Sequence, residues 1–278
     1  MLVEFKEILK MAEDGDFAIP AFNVYNMETV MAVFNAAEAC KSPVIMQVYP
    51  RLMKEECGYF LAPSILAAAE KATVPVCFHL DHGPSELETT RSIRYGATGI
   101  MLDGSALPFE ENIALTKRVV DTCKFIGIGV EGELGHVGSV NDSSMEEFTG
   151  VDEAREFVEK TGVSALAVLV GNAHGRYKKP PKLDIDRVKA ISEATKTPLV
   201  LHGGSGIPDD AIKAAIHNGI RKINFATDVC YTFLDAVEEM FKLDERVIAV
   251  DNFMKEPIKK TTEFCMEKIR LCGAEGKA

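Results

Sequence analysis

The sequence has fewer positively charged than negatively charged residues. Its 31 lysines and arginines face 42 aspartates and glutamates, which gives a formal net charge of −11 at pH 7. A protein that binds nucleic acid or an anionic membrane needs a large basic surface, so neither is an expected partner. If the ligand is itself an anion, local groups must hold it.

Long apolar runs and paired cysteines are also missing. No stretch approaches the ~18 apolar residues of a membrane span. Residues 1–16 alternate charged with apolar residues and lack the apolar run of a signal peptide. The seven cysteines show no CxxC spacing, and several lie in apolar runs, which is typical of reduced core thiols. We therefore expect a cytoplasmic protein.

The chain also lacks a Pro/Ser-rich linker, a sequence repeat and a low-complexity tract, so residues 1–278 are expected to form a single domain. What is present is an alternation of β-rich runs with segments of helical period. The candidate strands are "FAIPAFNVY", "PVIMQVY", "VPVCFHLD", "GIMLD", "IGIGVEGEL", "ALAVLVG", "PLVLHG" and "KINFAT".

This alternation predicts an α/β protein with a (β/α)8, or TIM, barrel. Eight strands with helices between them fit that fold better than a doubly wound sheet. A dinucleotide-binding sheet would carry GxGxxG after its first strand, and "AFNVYNMETV" has none. The segment after "KINFATD" predicts extra C-terminal helices that close the barrel and cap or dimerise it.

Polar side chains stand at the predicted carboxyl ends of the strands, where the active site of such a barrel lies. His82, His174 and His202 follow strands three, six and seven. Three imidazoles around one point, with room for an exchangeable ligand, suit a catalytic zinc ion. Each histidine alone fits a hydrogen-bonded rim residue equally well, but the matched placement of all three favours a metal.

The other three histidines carry different expectations. His79 lies deeper in strand three, so a packed role in the core or behind a metal ligand is expected. His217 lies near the end of a helix, where an imidazole complements the helix dipole. The role of His136, in a glycine-bounded loop, is open.

A glycine-rich turn follows strand seven in "HGGSGIPDDAIKAA", which enters a helix with Pro208 near its start. Gly203 and Gly204 allow backbone N–H groups to point inward, and Ser205 adds a hydroxyl. Together with "NFATD" at the start of the next helix, this turn predicts a phosphate site of the kind that barrels build after their last two strands.

Six ordered motifs resemble those of a known family: "LDHG", "MLDGS", "EGELG", "GNAHGRYK", "LHGGSGIP" and "NFATD". Their order and spacing are similar to those of the class II, metal-dependent fructose-bisphosphate and tagatose-bisphosphate aldolases, over nearly the whole chain. The resemblance implies a (β/α)8 barrel, a sugar phosphate substrate, and a homodimer or homotetramer.

The resemblance also implies roles for the matching residues. Asp81 of "LDHG" would handle the aldehyde or hydroxyl proton. The implied zinc ligands are His82, His174 and His202. Asp103 of "MLDGS" and Glu133 of "EGELG" match positions that hold an alternative or second metal in relatives.

Most of the residues expected at the substrate match segments that grip dihydroxyacetone phosphate in the family. The expected substrate-binding residues are Asn23, Arg51, Gly175, Gly203, Gly204, Ser205, Asn224, Phe225, Ala226 and Thr227. Relatives also bind a monovalent cation near the phosphate loop, which implies Na⁺ or K⁺ here.

Two places depart from the family pattern, and both belong to the half of the site that meets the aldehyde portion of the substrate. In many relatives a glutamate after "ELG" exchanges the proton at the enediolate carbon, whereas here Asn141 takes that place. We expect Asp142, Glu146 or Glu147 to supply the carboxyl, unless "MEEF" is only the solvated first turn of a helix. Arg51, in "YPRLMKE", stands where small residues are common.

The expected chemistry depends on a metal rather than on an imine. Zinc acts as a Lewis acid that stabilises the enediolate formed on cleavage, whereas class I aldolases use a Schiff-base lysine. "ALAVLVGNAHG" holds no lysine, and Lys222 is expected to enter strand eight from the end opposite the site.

The first-choice reaction is cleavage of fructose 1,6-bisphosphate to dihydroxyacetone phosphate and an aldehyde such as glyceraldehyde 3-phosphate. Tagatose 1,6-bisphosphate is the next substrate, followed by a modified or deoxy sugar phosphate. A non-catalytic sugar-phosphate-binding barrel is disfavoured because all three histidines are present. A metal-dependent hydrolase is disfavoured by the ordered aldolase motifs.

Overall fold

The computed structural model of the chain describes residues 1–137, 148–175, 177, 180–243 and 247–278. Its strands form a closed parallel barrel in which each strand pairs with the next and the last pairs with the first. The strands are β1 Ile19–Asn23, β2 Val44–Val48, β3 Val76–Gly83, β4 Gly99–Leu102, β5 Gly129–Leu134, β6 Ala165–Val168, β7 Leu199–Leu201 and β8 Ile220–Phe225. The predicted (β/α)8 barrel is confirmed.

Helices surround the barrel, and several follow the last strand. They are α1 Phe5–Gly15, α2 Met27–Cys40, α3 Pro50–Lys54, α4 Glu56–Lys71, α5 Glu86–Arg94, α6 Phe109–Lys124, α7 Val151–Thr161, α8 Ile185–Thr195, α9 Asp209–His217, α10 Thr227–Phe241, α11 Val250–Phe253 and α12 Lys255–Leu271. The predicted C-terminal helices are therefore present, and α12 packs against α2 and α10. In the part of the chain that the structure describes, every helix is too short or too polar to cross a membrane.

The first helix closes the amino-terminal end of the barrel. Its buried residues Phe5, Ile8, Leu9 and Ala12 recur at helical spacing and form one apolar face. This face packs against strands from both sides of the barrel, including β3 and β8. The opposite, carboxyl-terminal end is left for ligands.

Two strand ends differ from their predicted positions. A bulge lies between Leu80 and Gly83, and within it His82 has a left-handed backbone with φ of 50°. A bulge changes the direction of the side chain that it carries, and this one places His82 beside Asp103, His174 and His202. The run "ALAVLVG" predicts a longer sixth strand than the structure has, because β6 ends at Val168. His174 therefore lies six residues beyond the strand.

Candidate active site

The three predicted zinc ligands meet at the carboxyl-terminal end of the barrel. The ring centroid of His82 lies 4.9 Å from that of His174 and 4.7 Å from that of His202. One possible ligand atom from each residue lies within 4.8 Å of the others, and His82, Asp103 and Glu133 form a second such group. The two groups share His82, so the predicted first and second metal positions have one candidate ligand residue in common.

Carboxylates fix which ring nitrogen of two histidines carries the proton. His82 Nδ1 lies 2.7 Å from Asp103 Oδ2, and His202 Nε2 lies 2.9 Å from Glu131 Oε1. A carboxylate can only accept a hydrogen bond, so these nitrogens are the donors in the neutral rings. In the neutral form of each ring, the other nitrogen keeps its lone pair for a cation. Carboxylates orient metal-binding histidines in this way.

The nitrogens that remain are buried and lack hydrogen-bond partners among the described residues. They are His82 Nε2, His174 Nε2 and His202 Nδ1. The last lies 3.1 Å from Glu133 Oε2, outside hydrogen-bonding geometry. A buried polar atom without a partner is costly. Three of them on convergent imidazoles fit the donor set that zinc prefers.

The charges around these histidines are strongly coupled. Burial by itself lowers the pKa of His82, but the nearby carboxylates of Asp81, Asp103 and Glu133 outweigh it and raise the pKa to about 10. Burial lowers the pKa of His174 to about 3. The negative potential that favours a proton on His82 also favours a bound cation.

Asp81 is held from both sides by amide groups. Its Oδ2 accepts a hydrogen bond from Asn23 Nδ2 at 2.7 Å, and its Oδ1 accepts one from Asn224 Nδ2 at 3.2 Å. Gln47 Nε2 donates in turn to Asn23 Oδ1 at 2.8 Å. Asp81 Oδ1 also lies 3.9 Å from His82 Nε2. The carboxylate therefore stands beside the histidine group in a fixed orientation.

Lys222 and Glu131 belong to this region, although no sequence motif assigned them a role. Lys222 Nζ lies 2.9 Å from Glu131 Oε2, and both side chains are fully buried. Burial alone would raise the pKa of Glu131, but the Lys222 ammonium and His202 hold it well below its usual range. The expected position of Lys222 away from the site is wrong, because its side chain reaches toward Asn224 inside the barrel.

The glycine-rich turn after β7 packs closely against its neighbours. Gly203 has φ of +63°, and a Cβ atom there would overlap the backbone oxygen of Ala173. Gly204 N donates to Asn224 O at 3.1 Å, which ties the turn to β8. Ser205 Oγ accepts from Asp228 N at 3.2 Å in the first turn of α10. Both loops of the predicted phosphate site are therefore joined.

Tyr177 stabilises the other side of this turn and was missed in the sequence. Its hydroxyl accepts from Ala173 N at 2.7 Å and lies 2.8 Å from Ala173 O and 3.2 Å from Gly203 O. The phenol thereby connects the loop that carries His174 to the glycine-rich turn. Its place three residues after His174 in "HGRY" is the available signal, but the sequence does not show which way the ring turns.

The remaining predicted substrate residues differ in what they offer. Gly175 follows His174 with φ of +111°, and Thr227 begins α10 after Ala226. Phe225, by contrast, is fully buried and stacks on Phe22 with ring centroids 5.7 Å apart. Its side chain belongs to the barrel core, so only its backbone is available to a ligand.

An arginine and two tyrosines form the rim beyond β1 and β2. The Arg51 guanidinium lies 4.6 Å from the ring centroid of Tyr49 and 6.0 Å from that of Tyr25. The Tyr49 ring stacks toward His82 at 6.5 Å. Arg51 itself is exposed. The positive charge of Arg51 therefore packs on aromatic rings next to the three histidines.

The other histidines lie where their patterns suggest. His79 is fully buried with its ring 4.6 Å from Phe5, and His217 is exposed at the end of α9. His136 Nδ1 lies 3.0 Å from Ser105 Oγ, which donates to Asp103 Oδ1 at 2.6 Å. His136 is therefore connected to His82 through Ser105 and Asp103.

The candidate proton donors cannot be placed in the same way. Asp142, Glu146 and Glu147, together with Asn141, lie outside the described residues.

Comparison with known proteins identifies the relatives of this chain. Residues 3–277 match the sequence model of the family described as fructose-bisphosphate aldolase class-II. The chain is 41% identical over 284 residues to the uncharacterized protein YdjI of Escherichia coli (strain K12), and the match covers 100% of both chains.

Solved structures give the same assignment. The crystal structure of the YdjI aldolase from Escherichia coli K12 matches with a TM-score of 0.91 at 40% identity, over 100% of both chains. A putative fructose-1,6-bisphosphate aldolase from Coccidioides immitis matches with a TM-score of 0.88 at 27% identity, over 99% of this chain and 97% of that one. Fructose-bisphosphate aldolase from Campylobacter jejuni shares the fold, with a TM-score of 0.84 at 23% identity over 100% of this chain and 97% of that one.

Proposed function

We propose that this chain, which belongs to the class II fructose-bisphosphate aldolase family, is a zinc-dependent aldolase acting on a ketose phosphate. Members of this family are metal-dependent carbon–carbon lyases. Its products are dihydroxyacetone phosphate and an aldehyde. Fructose 1,6-bisphosphate is the first candidate substrate and tagatose 1,6-bisphosphate the second. We also propose a homodimer or homotetramer.

The observation that carries the proposal is a set of three buried imidazole nitrogens, on His82, His174 and His202, that have no hydrogen-bond partner among the described residues. Zinc bound there would supply Lewis acidity toward the carbonyl and hydroxyl oxygens of the substrate. Asp103 and Glu133 would provide the second or alternative position, since both lie beside His82. A cation in this region would neutralise a cluster of buried carboxylates.

Asp81 is proposed to accept the hydroxyl proton of the ketose at C4 while the bond between C3 and C4 breaks. Its two oxygens accept hydrogen bonds from Asn23 and Asn224, so the carboxylate is already oriented when the substrate binds. The aldehyde then leaves, and C3 of the remaining fragment needs a proton. We propose that Asp142, Glu146 or Glu147 donates it.

The phosphate of the dihydroxyacetone half is proposed to bind between the last two loops of the barrel. The residues are Gly175, those at 203–205 and those at 224–227. Asn23 would contact the same half through the amide that holds Asp81. Backbone N–H groups at the start of α10 favour an anion. Na⁺ or K⁺ beside the loop would offset part of the phosphate charge.

Arg51 is proposed to meet an anionic group at the far end of the aldehyde half. Its guanidinium is held over Tyr49, whose ring faces His82, so a substrate bound beside His82 would direct its far end toward Arg51. A guanidinium forms paired hydrogen bonds with a phosphate or a carboxylate. This residue would separate substrates that carry a second anion from those that do not.

The test is release of dihydroxyacetone phosphate from fructose 1,6-bisphosphate, tagatose 1,6-bisphosphate and fructose 1-phosphate, with the parent protein and with Arg51→Met. Loss of a charged hydrogen bond should raise KM for the two bisphosphates by roughly 10–100-fold. KM for fructose 1-phosphate should stay unchanged, because that substrate has no second anion.

Arg155→Met is the matched control, because Arg155 pairs with Asp152 on the outer helix α7. It should leave KM for all three substrates at the parent value. No cleavage of any ketose phosphate by the zinc-loaded parent would reject the aldolase. An equal change of KM for all three substrates in Arg51→Met would reject only the role of Arg51.

A further inference from the structure

Lys222 is a buried cation at the centre of the barrel. It is the third residue of β8, and its side chain has no exposed surface. Side chains two apart on a strand lie on the same face, so Lys222 and Asn224 point in the same direction. Lysine is almost never fully buried unless it is paired. The partners of this ammonium therefore decide what it does.

The first partner connects Lys222 to the histidine group. Lys222 Nζ lies 2.9 Å from Glu131 Oε2, and Glu131 Oε1 lies 2.9 Å from His202 Nε2. The ion pair holds the carboxylate so that its other oxygen receives the imidazole N–H. His202 is then fixed both in rotation and in tautomer, with Nδ1 as the nitrogen that carries the lone pair.

The second partner connects Lys222 to Asp81. Lys222 Nζ donates to Asn224 Oδ1 at 2.7 Å, and Asn224 Nδ2 donates to Asp81 Oδ1 at 3.2 Å. An ammonium can only donate and a carboxylate can only accept. The amide of Asn224 therefore has one favourable orientation. Without Lys222 it could rotate by 180° and present its oxygen to Asp81, which would remove a hydrogen bond and add a repulsion.

We propose that Lys222 is a positioning residue that orients the zinc ligand His202 and the proton-transfer group Asp81 at the same time. One ammonium reaches each of them through a single intervening side chain, Glu131 or Asn224. Since both contacts are made within the buried barrel, water does not compete with them. The inference rests on the proposed function for the roles of His202 and Asp81.

The experiment uses Lys222→Met, which keeps the length of the side chain and removes its charge. Zinc affinity of the metal-free protein is measured by competition with a chromophoric chelator, and kcat and KM are measured at saturating zinc. Loss of an oriented partner behind a metal ligand weakens affinity or activity by roughly 10–100-fold. We expect both zinc affinity and kcat to fall in that range, with KM within a few fold of the parent.

A second variant, Lys222→Met with Glu131→Gln, removes the unpaired carboxylate that could unfold the single variant. The amide oxygen introduced by Glu131→Gln can still accept from His202, whereas Asn224 stays without its anchor. Zinc affinity should therefore return to near the parent value while kcat remains low. The free energy of unfolding, measured in urea on the metal-free proteins, separates misfolding from misorientation.

Parent zinc affinity and parent kcat in folded Lys222→Met, with only a lower free energy of unfolding, would show that Lys222 merely stabilises the barrel. Recovery of kcat together with zinc affinity in the double variant would show that Lys222 does not orient Asp81 through Asn224. The zinc comparison does not depend on turnover, so a parent protein without aldolase activity would reject the proposed function and leave this test in place.

Discussion

His82 has the most unusual backbone of the proposed ligands. Its φ of 50° is left-handed, a conformation that few residues other than glycine adopt, and it sits within a bulge of β3. The strain of such a residue is of the order of 1–3 kcal/mol and persists where the surroundings enforce it. Here Asp103 Oδ2 lies 2.7 Å from Nδ1, and the ring centroids of His174 and His202 lie 4.9 and 4.7 Å from that of His82.

The first prediction concerns these three side chains. His82→Ala, His174→Ala and His202→Ala should each lose most bound zinc and nearly all cleavage, because two imidazoles do not retain the ion. Zinc content after gel filtration, measured by atomic absorption, checks this. His217→Ala is the control, since His217 is 83% exposed on α9. Stoichiometric zinc with full turnover in any of the first three variants would remove that residue from the ligand set.

The second prediction separates Asp81 from its neighbour. Asp81→Asn should keep zinc, because the histidines remain, but it should reduce kcat by roughly the 10²–10⁴-fold that a positioned acid or base contributes. Zinc content and steady-state kinetics on the same preparation check both parts. If zinc is lost in parallel with activity, Asp81 is a metal ligand or a support for one.

At this scale the sequence predicts residues that end strands better than residues inside them. His82 and His202 are recognisable because polar groups interrupt apolar runs at the rim of a barrel. Lys222 and Glu131 are not, because their partner strands β8 and β5 lie far apart in the chain and meet only inside the closed barrel. The bulge that turns His82 has no distinct signal either, because positive φ is uncommon in residues other than glycine.

Among the elements, the turn between β7 and α9 is the most constrained. The third prediction is that Gly203→Ala destabilises the protein by more than the roughly 1–2 kcal/mol that a left-handed backbone alone costs. The added Cβ atom would overlap the backbone oxygen of Ala173, and neither backbone segment can move without disturbing the turn. The free energy of unfolding in urea measures the effect.

Gly127→Ala is the matched control for this substitution. Gly127 has φ of +80°, and a Cβ atom there would have no neighbour within 4 Å in the described part of the chain. It should therefore show the backbone cost without the steric clash. Equal losses of stability in the two variants would mean that the turn relaxes around Gly203 and that its close packing is not required.

The fourth prediction concerns the loop that follows β5. One of Asp142→Asn, Glu146→Gln and Glu147→Gln should lose proton exchange at the enediolate carbon of dihydroxyacetone phosphate while keeping its affinity within a few fold. The longer glutamates are favoured for their reach. Deuterium exchange followed by NMR measures this. Parent exchange rates in all three variants would move the role to water or to His136, which lies beside Ser105 at the rim.

Elements are predicted well where apolar period and length agree. The eight strands and the C-terminal helices follow from that pattern, because strands of a parallel barrel are buried on both faces. The end of β6 does not follow from it. Leu169 and Val170 continue the apolar run and are buried, but they lie in the loop that leads to His174. Tertiary burial and strand pairing are different properties, and the sequence shows only the first.

For the whole molecule, an acidic chain has to bind an anionic substrate. The net charge of −11 gives no long-range attraction to a sugar phosphate. The proposed local binding groups are the start of α10 and its neighbouring turn for one phosphate, Arg51 for a second anion, and a metal among carboxylates for the oxygens between. Barrel closure makes this possible, since it brings β3, β5, β7 and β8 to one mouth.

A metal rather than a lysine is the proposed centre of the chemistry. Within the described ranges, Lys222 is the fully buried lysine of the barrel, and its ammonium is occupied by Glu131 and Asn224. An imine at this position would have to break two buried polar contacts.

The most direct measurement is therefore the rate of dihydroxyacetone phosphate release from fructose 1,6-bisphosphate and tagatose 1,6-bisphosphate before chelation, after removal of metal, and after zinc is added back. We expect release from at least one substrate to be lost with the metal and restored by zinc, with no change in protein mass after borohydride treatment in the presence of substrate. Undiminished release from protein shown to be metal-free, with a lysine adduct after borohydride, would contradict the account.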